Sequence, residues 1–183
     1  MMRGLAFFGT DINPLAVLLC QVKSGPFFID ALKYKTEELF SRIKDDGRWA
    51  VEVDFPNRSK WFNREVSIAL SKILRAIRKE DTLWARRFFW VALAEAVRAT
   101  SNTRTSTFKL HIRTQEDIDR RSCDALGIFK KIIMRNIQHY EEQATKLCES
   151  GYLLRGRYQN EVAVSLADVR RASNKADLDI VIT

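Results

Sequence analysis

Residues 5–26 read LAFFGTDINPLAVLLCQVKSGP. Leu5 to Thr10 is a short, nearly all-apolar run, the pattern of a buried strand covered on both faces. Asp11 stands at its tip. Asn13 suits the N-cap of a helix, and Pro14 its first position. LAVLLCQVK fills that helix, Gly25 falls at its C′ position and Pro26 follows. The stretch is a strand, a two-residue turn and a helix. An acid at such a turn marks the ligand-binding edge of an α/β fold. The Gly-rich loop that accompanies such an acid would stand about 20 residues upstream, ahead of residue 1.

Outward from this unit the chain turns helical. ALKYKTEELFSRIKDD reads as a helix capped by Asp30. Trp49 to Val53 has the look of a short strand, and FPNRSKW of a loop. Asn63 caps a helix whose Val66, Leu70, Ile73, Leu74 and Ile77 share one face, with Lys72, Arg75 and Lys79 opposite. Asp81 caps LWARRFFWVALAEAVRA, apolar nearly all round and so the expected centre of a helical block. Its Trp84, Phe88, Phe89 and Trp90 are too dense for a base-stacking platform and belong to a core. Residues 101–114 break the helical period. Thr114, with Asp117 three residues on, opens a further helix. From Ala125 the apolar positions step by three or four to Leu147, with Gly127 as a potential break and Gly151 as the end. The tail returns to strand chemistry at Glu161–Leu166 and Leu178–Thr183, with Asp168 just beyond the first. The segments expected are 1–30 (strand and helix), 31–155 (helical insertion) and 156–183 (two core strands), in one compact unit.

Length and composition bound the class. The chain has 183 residues, 46% hydrophobic and 30% charged, ample for one folded domain with a core. No apolar run reaches the roughly 18 residues of a membrane span. Cys20, Cys123 and Cys148 are odd in number and lack metal spacing; Cys20 and Cys148 are expected to pack as small hydrophobes in a reducing, cytoplasmic setting. The two histidines, His111 and His139, match no triad or metal pattern. A net charge of +8 favours a polyanionic partner.

Asp11 and Asp168 both stand at strand ends, where open α/β sheets bind ligands. A carboxylate there can accept from two vicinal ribose hydroxyls. On the residues alone, Asp11 reads at least as well as an acid favoured by the helix dipole, and Asp168 as a turn residue. Arg98, Arg104, Lys109 and Arg113 fall in an acid-free stretch with Phe108 and His111 among them. It is either a loop that meets phosphates or a solvated connection. Arg155, Arg157, Arg170 and Arg171 flank the penultimate strand and are either part of the same cleft or surface charge.

GTDINPLAVLLCQVK resembles a motif of the S-adenosylmethionine-dependent DNA methyltransferases that modify an exocyclic amino group of adenine or cytosine. KWFNREVSIALSKI, RRFFWVALAEAVRATSNTR and LADVRRASNKADLDIVIT resemble further segments of that family, in the same order. The resemblance implies an α/β fold: strands two, three and four of a Rossmann-like methyltransferase sheet, interrupted by a large, mainly helical insertion. It implies that Asp11 binds the ribose hydroxyls of S-adenosylmethionine, that Ile12 and Asn13 lie along the adenosine, and that Asp168 meets the adenine amino group. It favours DNA contact for Arg98, Arg104, Lys109 and Arg113.

In the family a catalytic Pro-Pro-Tyr motif follows the strand written here as LDIVIT, and would begin at residue 184. No residue of this sequence can therefore be assigned the catalytic step. The expectation is a segment or subunit that is inactive alone. A second methyltransferase chain would supply the Gly-rich loop and the Pro-Pro-Tyr motif, or copies would self-associate through open sheet edges. The alternative is a non-catalytic DNA-binding or assembly subunit derived from such an enzyme.

Overall fold

A computed structural model describes residues 1–104, 111–168 and 170. Strand β1 (Phe7–Asp11) leads through Asn13 into α1 (Pro14–Lys23). The helices α2 (Ile29–Lys44), α3 (Arg58–Trp61), α4 (Arg64–Arg78), α5 (Leu83–Thr100), α6 (Gln115–Asp119) and α7 (Ala125–Glu149) follow. The hairpin β2 (Leu153–Leu154) and β3 (Arg157–Tyr158) precedes β4 (Val162–Leu166). β4 returns beside β1 in parallel, with Phe7 opposite Val162 and Asp11 opposite Leu166. The fold is thus mixed α/β, with a small parallel sheet and a helical block between its two strands. The expected strand at 178–183 lies outside the described residues.

The helical block packs as its periodicity predicts. On α2, Leu32, Thr36, Leu39 and Ile43 are buried at steps of three and four. α5 lies against α1, α4 and α7, and its Ala85, Phe89, Ala92 and Ala96 are fully enclosed. The small alanines let neighbouring helices approach, while Phe89, Phe129 and Ile133 fill the space between them. Phe88 and Phe89 are core residues, with Trp84 and Trp90 packed against the cluster. α7 runs unbroken through Gly127, whose N–H donates to the Asp124 carboxylate at 2.9 Å. The glycine belongs to the N-terminal cap and marks no break.

Two tyrosines hold the N-terminal unit in place. Tyr140 on α7 donates its hydroxyl to the Val22 carbonyl at 2.8 Å and stacks on Phe27 at 4.5 Å between ring centres. Burial pushes its phenol above the ordinary value. The Tyr158 hydroxyl lies within hydrogen-bond reach of the carbonyls of Met1 and Leu5, holding the N-terminal segment. The β2–β3 hairpin, unread in the sequence, turns through Arg155 and Gly156, both at positive φ.

Several expectations are corrected. Trp49–Val53 forms no strand, because α4 side chains satisfy its backbone. Arg75 Nη1 donates to the Ala50 carbonyl at 3.0 Å, and the Glu52 N–H donates to Ser71 Oγ at 3.0 Å. Arg75 itself is buried, 5% exposed, and not on a solvated face. β1 is not buried: Phe7 is 46% exposed, because β4 is its sole strand neighbour among the described residues. Cys20 and Cys148 are exposed, on the outer sides of α1 and α7. Phe28 and Thr82 take the cap positions expected for Asp30 and Asp81. Asn63 holds its cap position, but its side chain makes no capping hydrogen bond.

Candidate functional site

The site is built at the carboxyl edge of the parallel pair. Asp11 ends β1, and its Oδ1 accepts the Asn13 N–H at 2.8 Å. Asn13, extended at φ −88 and ψ 112, turns its Oδ1 to the Leu15 N–H at 2.9 Å and starts α1. Pro14 supplies no donor where none is needed. The two short bonds fix the Asp11 carboxylate over the helix start. They leave Oδ2 without a hydrogen-bond partner among the described residues. Ile12, between them, is 73% exposed. A carboxylate with a free oxygen beside an uncovered aliphatic side chain suits a ligand carrying hydroxyls and an apolar ring.

The second acid reaches the same edge. Because β1 and β4 are parallel, their carboxyl ends coincide, and Leu166 is the partner of Asp11. The Ala167 N–H donates to the Asp11 carbonyl at 3.1 Å, extending the pairing one residue. Asp168 follows immediately. Arg170 grips it through Nε at 3.0 Å and Nη2 at 2.5 Å. Those side-chain hydrogen bonds hold the Asp168 carboxyl below the usual carboxylate range. The pair is largely solvated on the arginine side, so a ligand donor can compete for the carboxylate.

A groove of about 540 Å³ flanks α1 on its helical side. Leu15 and Leu18 of α1, Phe55 and Phe62, and Trp90 and Val97 of α5 form its walls. Its two serines are already engaged: Ser67 donates to the Asn63 carbonyl and Ser71 to the Ser67 carbonyl. The lining is therefore apolar in character. Among the described residues no group of His, Cys, Asp or Glu is placed to hold a metal ion. Nor is any described helix long and apolar enough to cross a membrane.

The basic residues divide. Arg98 is exposed on the last turn of α5, and Arg104 is exposed beyond it. Arg113 is half-buried, with its N–H donating to the Asn102 carbonyl at 2.9 Å. Its Nε is enclosed without a hydrogen-bond partner among the described residues. Lys109, Phe108 and Arg171 lie outside the described residues. Arg157 sits over the Phe28 ring at 5.4 Å, and Arg155 occupies the hairpin turn. Neither arginine joins Asp11 through any contact seen.

No family model matches the chain, and no solved structure matches it. Among curated proteins it is similar to the Type II methyltransferase M.MvaI of Kocuria varians, with 32% identity over 145 residues. The aligned region covers 73% of this chain and 31% of that protein, so the chain spans less than a third of its relative's length. That likeness supports a DNA methyltransferase relationship.

Proposed function

We propose that this chain is a DNA methyltransferase segment that forms the adenosine side of an S-adenosylmethionine pocket. The observation that carries the reading is the placement of Asp11 and Asp168 at one carboxyl edge, with Ile12 exposed between strand and helix. The two strands are then the second and third of a Rossmann-like sheet. The residues fit the adenosine half of the cofactor. Asp11 Oδ2 would accept from ribose hydroxyls, while Oδ1 holds the Asn13 N–H. Ile12 would lie along the adenosine, and Asp168, now held by Arg170, would accept from the adenine amino group.

When bound, the cofactor supplies an electrophilic methyl group. The target's exocyclic amino nitrogen is a poor nucleophile, because its lone pair is conjugated with the base. Such enzymes extrude the base and orient it, and orientation and electrostatics provide most of the acceleration. The chain's own share is binding and orientation of the cofactor. A second methyltransferase chain is the proposed source of a Gly-rich loop and a Pro-Pro-Tyr motif. DNA is the substrate class, with a cytoplasmic setting.

Calorimetry with S-adenosylmethionine tests this, on the chain alone and co-expressed with a candidate completing segment. Binding is expected in the completed complex and weaker by about 10- to 100-fold in Asp11→Ala, the loss of a charge-assisted hydrogen bond. Cofactor affinity indifferent to Asp11 overturns the assignment. DNA binding indifferent to both cofactor and Asp11 would instead support a non-catalytic DNA-binding or assembly subunit.

A further inference from the structure

Two acid-free basic stretches stand far apart in the sequence. Residues 58–64, RSKWFNR, carry Arg58, Lys60 and Arg64. Residues 98–113 carry Arg98, Arg104, Lys109 and Arg113. Only the second stands out in the sequence, because the first hides in a loop and a four-residue helix. The fold joins them through one buried residue. The Asn102 N–H donates to the Trp61 carbonyl at 2.8 Å. Its side-chain amide donates to the Lys60 carbonyl at 3.2 Å and to Asn63 Oδ1 at 3.4 Å. Its own carbonyl accepts the Arg113 N–H at 2.9 Å, and Thr103 bridges Ile112 antiparallel. Segments 60–63, 101–104 and 111–113 therefore run in hydrogen-bonded succession, and Asn102, 5% exposed, is the joint.

This succession carries several basic side chains on three adjoining segments. Lys60, Arg64, Arg98 and Arg104 are exposed, and none is in an ion pair among the described residues. Arg58 pairs with Asp54 at 3.3 Å, but that aspartate side chain is 86% exposed and screens little. Arg64 also stands in the first turn of α4, where the helix dipole disfavours a cation. We propose that the surface formed by 58–64, 98–104 and 111–113 is a phosphate-binding face for duplex DNA. The choice of duplex DNA over other polyanions rests on the methyltransferase reading; the face itself rests on the juxtaposition of the two stretches.

The experiment is fluorescence anisotropy of the full chain with a labelled DNA duplex across a salt series, without cofactor. Removing one cation that neutralises a phosphate reduces the slope of log affinity against log salt by about 0.9. Lys60→Ala/Arg64→Ala should weaken binding about tenfold or more near 0.1 M salt and flatten that slope by about two. Adding Arg104→Ala should flatten it by about one more. The control, Lys131→Ala/Lys146→Ala on α7, removes the same charge from exposed positions and should change binding little. Equal weakening in the control would reduce the effect to net charge and overturn the face. Tighter binding of single-stranded RNA than of duplex would overturn the choice of partner. Failure of the cofactor test alone leaves these outcomes unchanged, so the two readings fail separately.

Discussion

Arg75 shows how much one side chain decides here. Its Nε meets Asp46 at 2.6 Å, Nη1 meets Glu52 and the Ala50 carbonyl at 3.0 Å each, and Nη2 meets the Arg48 carbonyl at 3.3 Å. The guanidinium straps the 46–52 segment onto α4, beneath the strand-like WAVEV. Arg75→Ala leaves a nearly enclosed Asp46 without its main partner, and should cost about 3–5 kcal/mol in urea unfolding. The Arg75 hydrogen bond holds the Asp46 carboxyl well below the usual carboxylate range. A depressed folded-state pKa stabilises above the unfolded value, near about 4, and that stabilisation is lost as pH falls. Stability should therefore drop on acidification below about pH 4, and Asp46→Asn should flatten the drop. Helical period alone puts Arg75 with Lys72 and Lys79 on a solvated face. Its partners lie 23 to 29 residues upstream, which no periodicity encodes.

Elements were legible where their signals are local. The cap of α1 is legible because Asn13 accepts the Leu15 N–H two residues on; the cap of α7, Asp124 accepting the Gly127 N–H, is as local but is missed, because its glycine reads as a break. Asp124→Ala should lower stability by about 1 kcal/mol in thermal or denaturant unfolding, as for other N-cap losses. The span of α5 is legible but its cap is not. The start of α5 is governed by Glu80, fully buried, whose carboxylate accepts the Thr82 N–H at 3.0 Å and also meets Arg42 and Lys35. Burial pushes the Glu80 carboxyl up, but the Thr82 hydrogen bonds and the two cations more than offset this and leave it below its ordinary value. Asp81, the obvious capping residue in the sequence, has no such role.

At the scale of the molecule, the stability is unevenly distributed. The helical core holds Leu39, Ile73, Phe89, Phe129 and Ile133 at 0–1% exposure. The parallel pair leaves Phe7 at 46%, Leu166 at 59% and Ile12 at 73%. Parallel sheets are ordinarily covered on both faces, and two strands alone are marginal. Amide exchange should therefore be faster by at least about tenfold in β1 and β4 than in α5 and α7. A completing methyltransferase segment should slow exchange in β1 and β4 and leave α5 and α7 little changed. Exchange in the sheet as slow as in the helices would show that the pair needs no further cover.

The sequence by itself determined the strand–turn–helix at 5–25, the helical block, and the acids at strand ends, because caps, periods and strand tips are written within a few residues. It also carried the family likeness, since FFGTDINPLA keeps acid, cap and proline in fixed spacing. Only the tertiary structure decided that β4 lies parallel to β1 and so brings Asp168 to the edge of Asp11. Only there does Asn102 seat one basic stretch against another, and Arg75 convert a strand-like segment into a strap. Each of these rests on hydrogen bonds or ion pairs between residues far apart in the chain, whose formation depends on the packed core that holds them together.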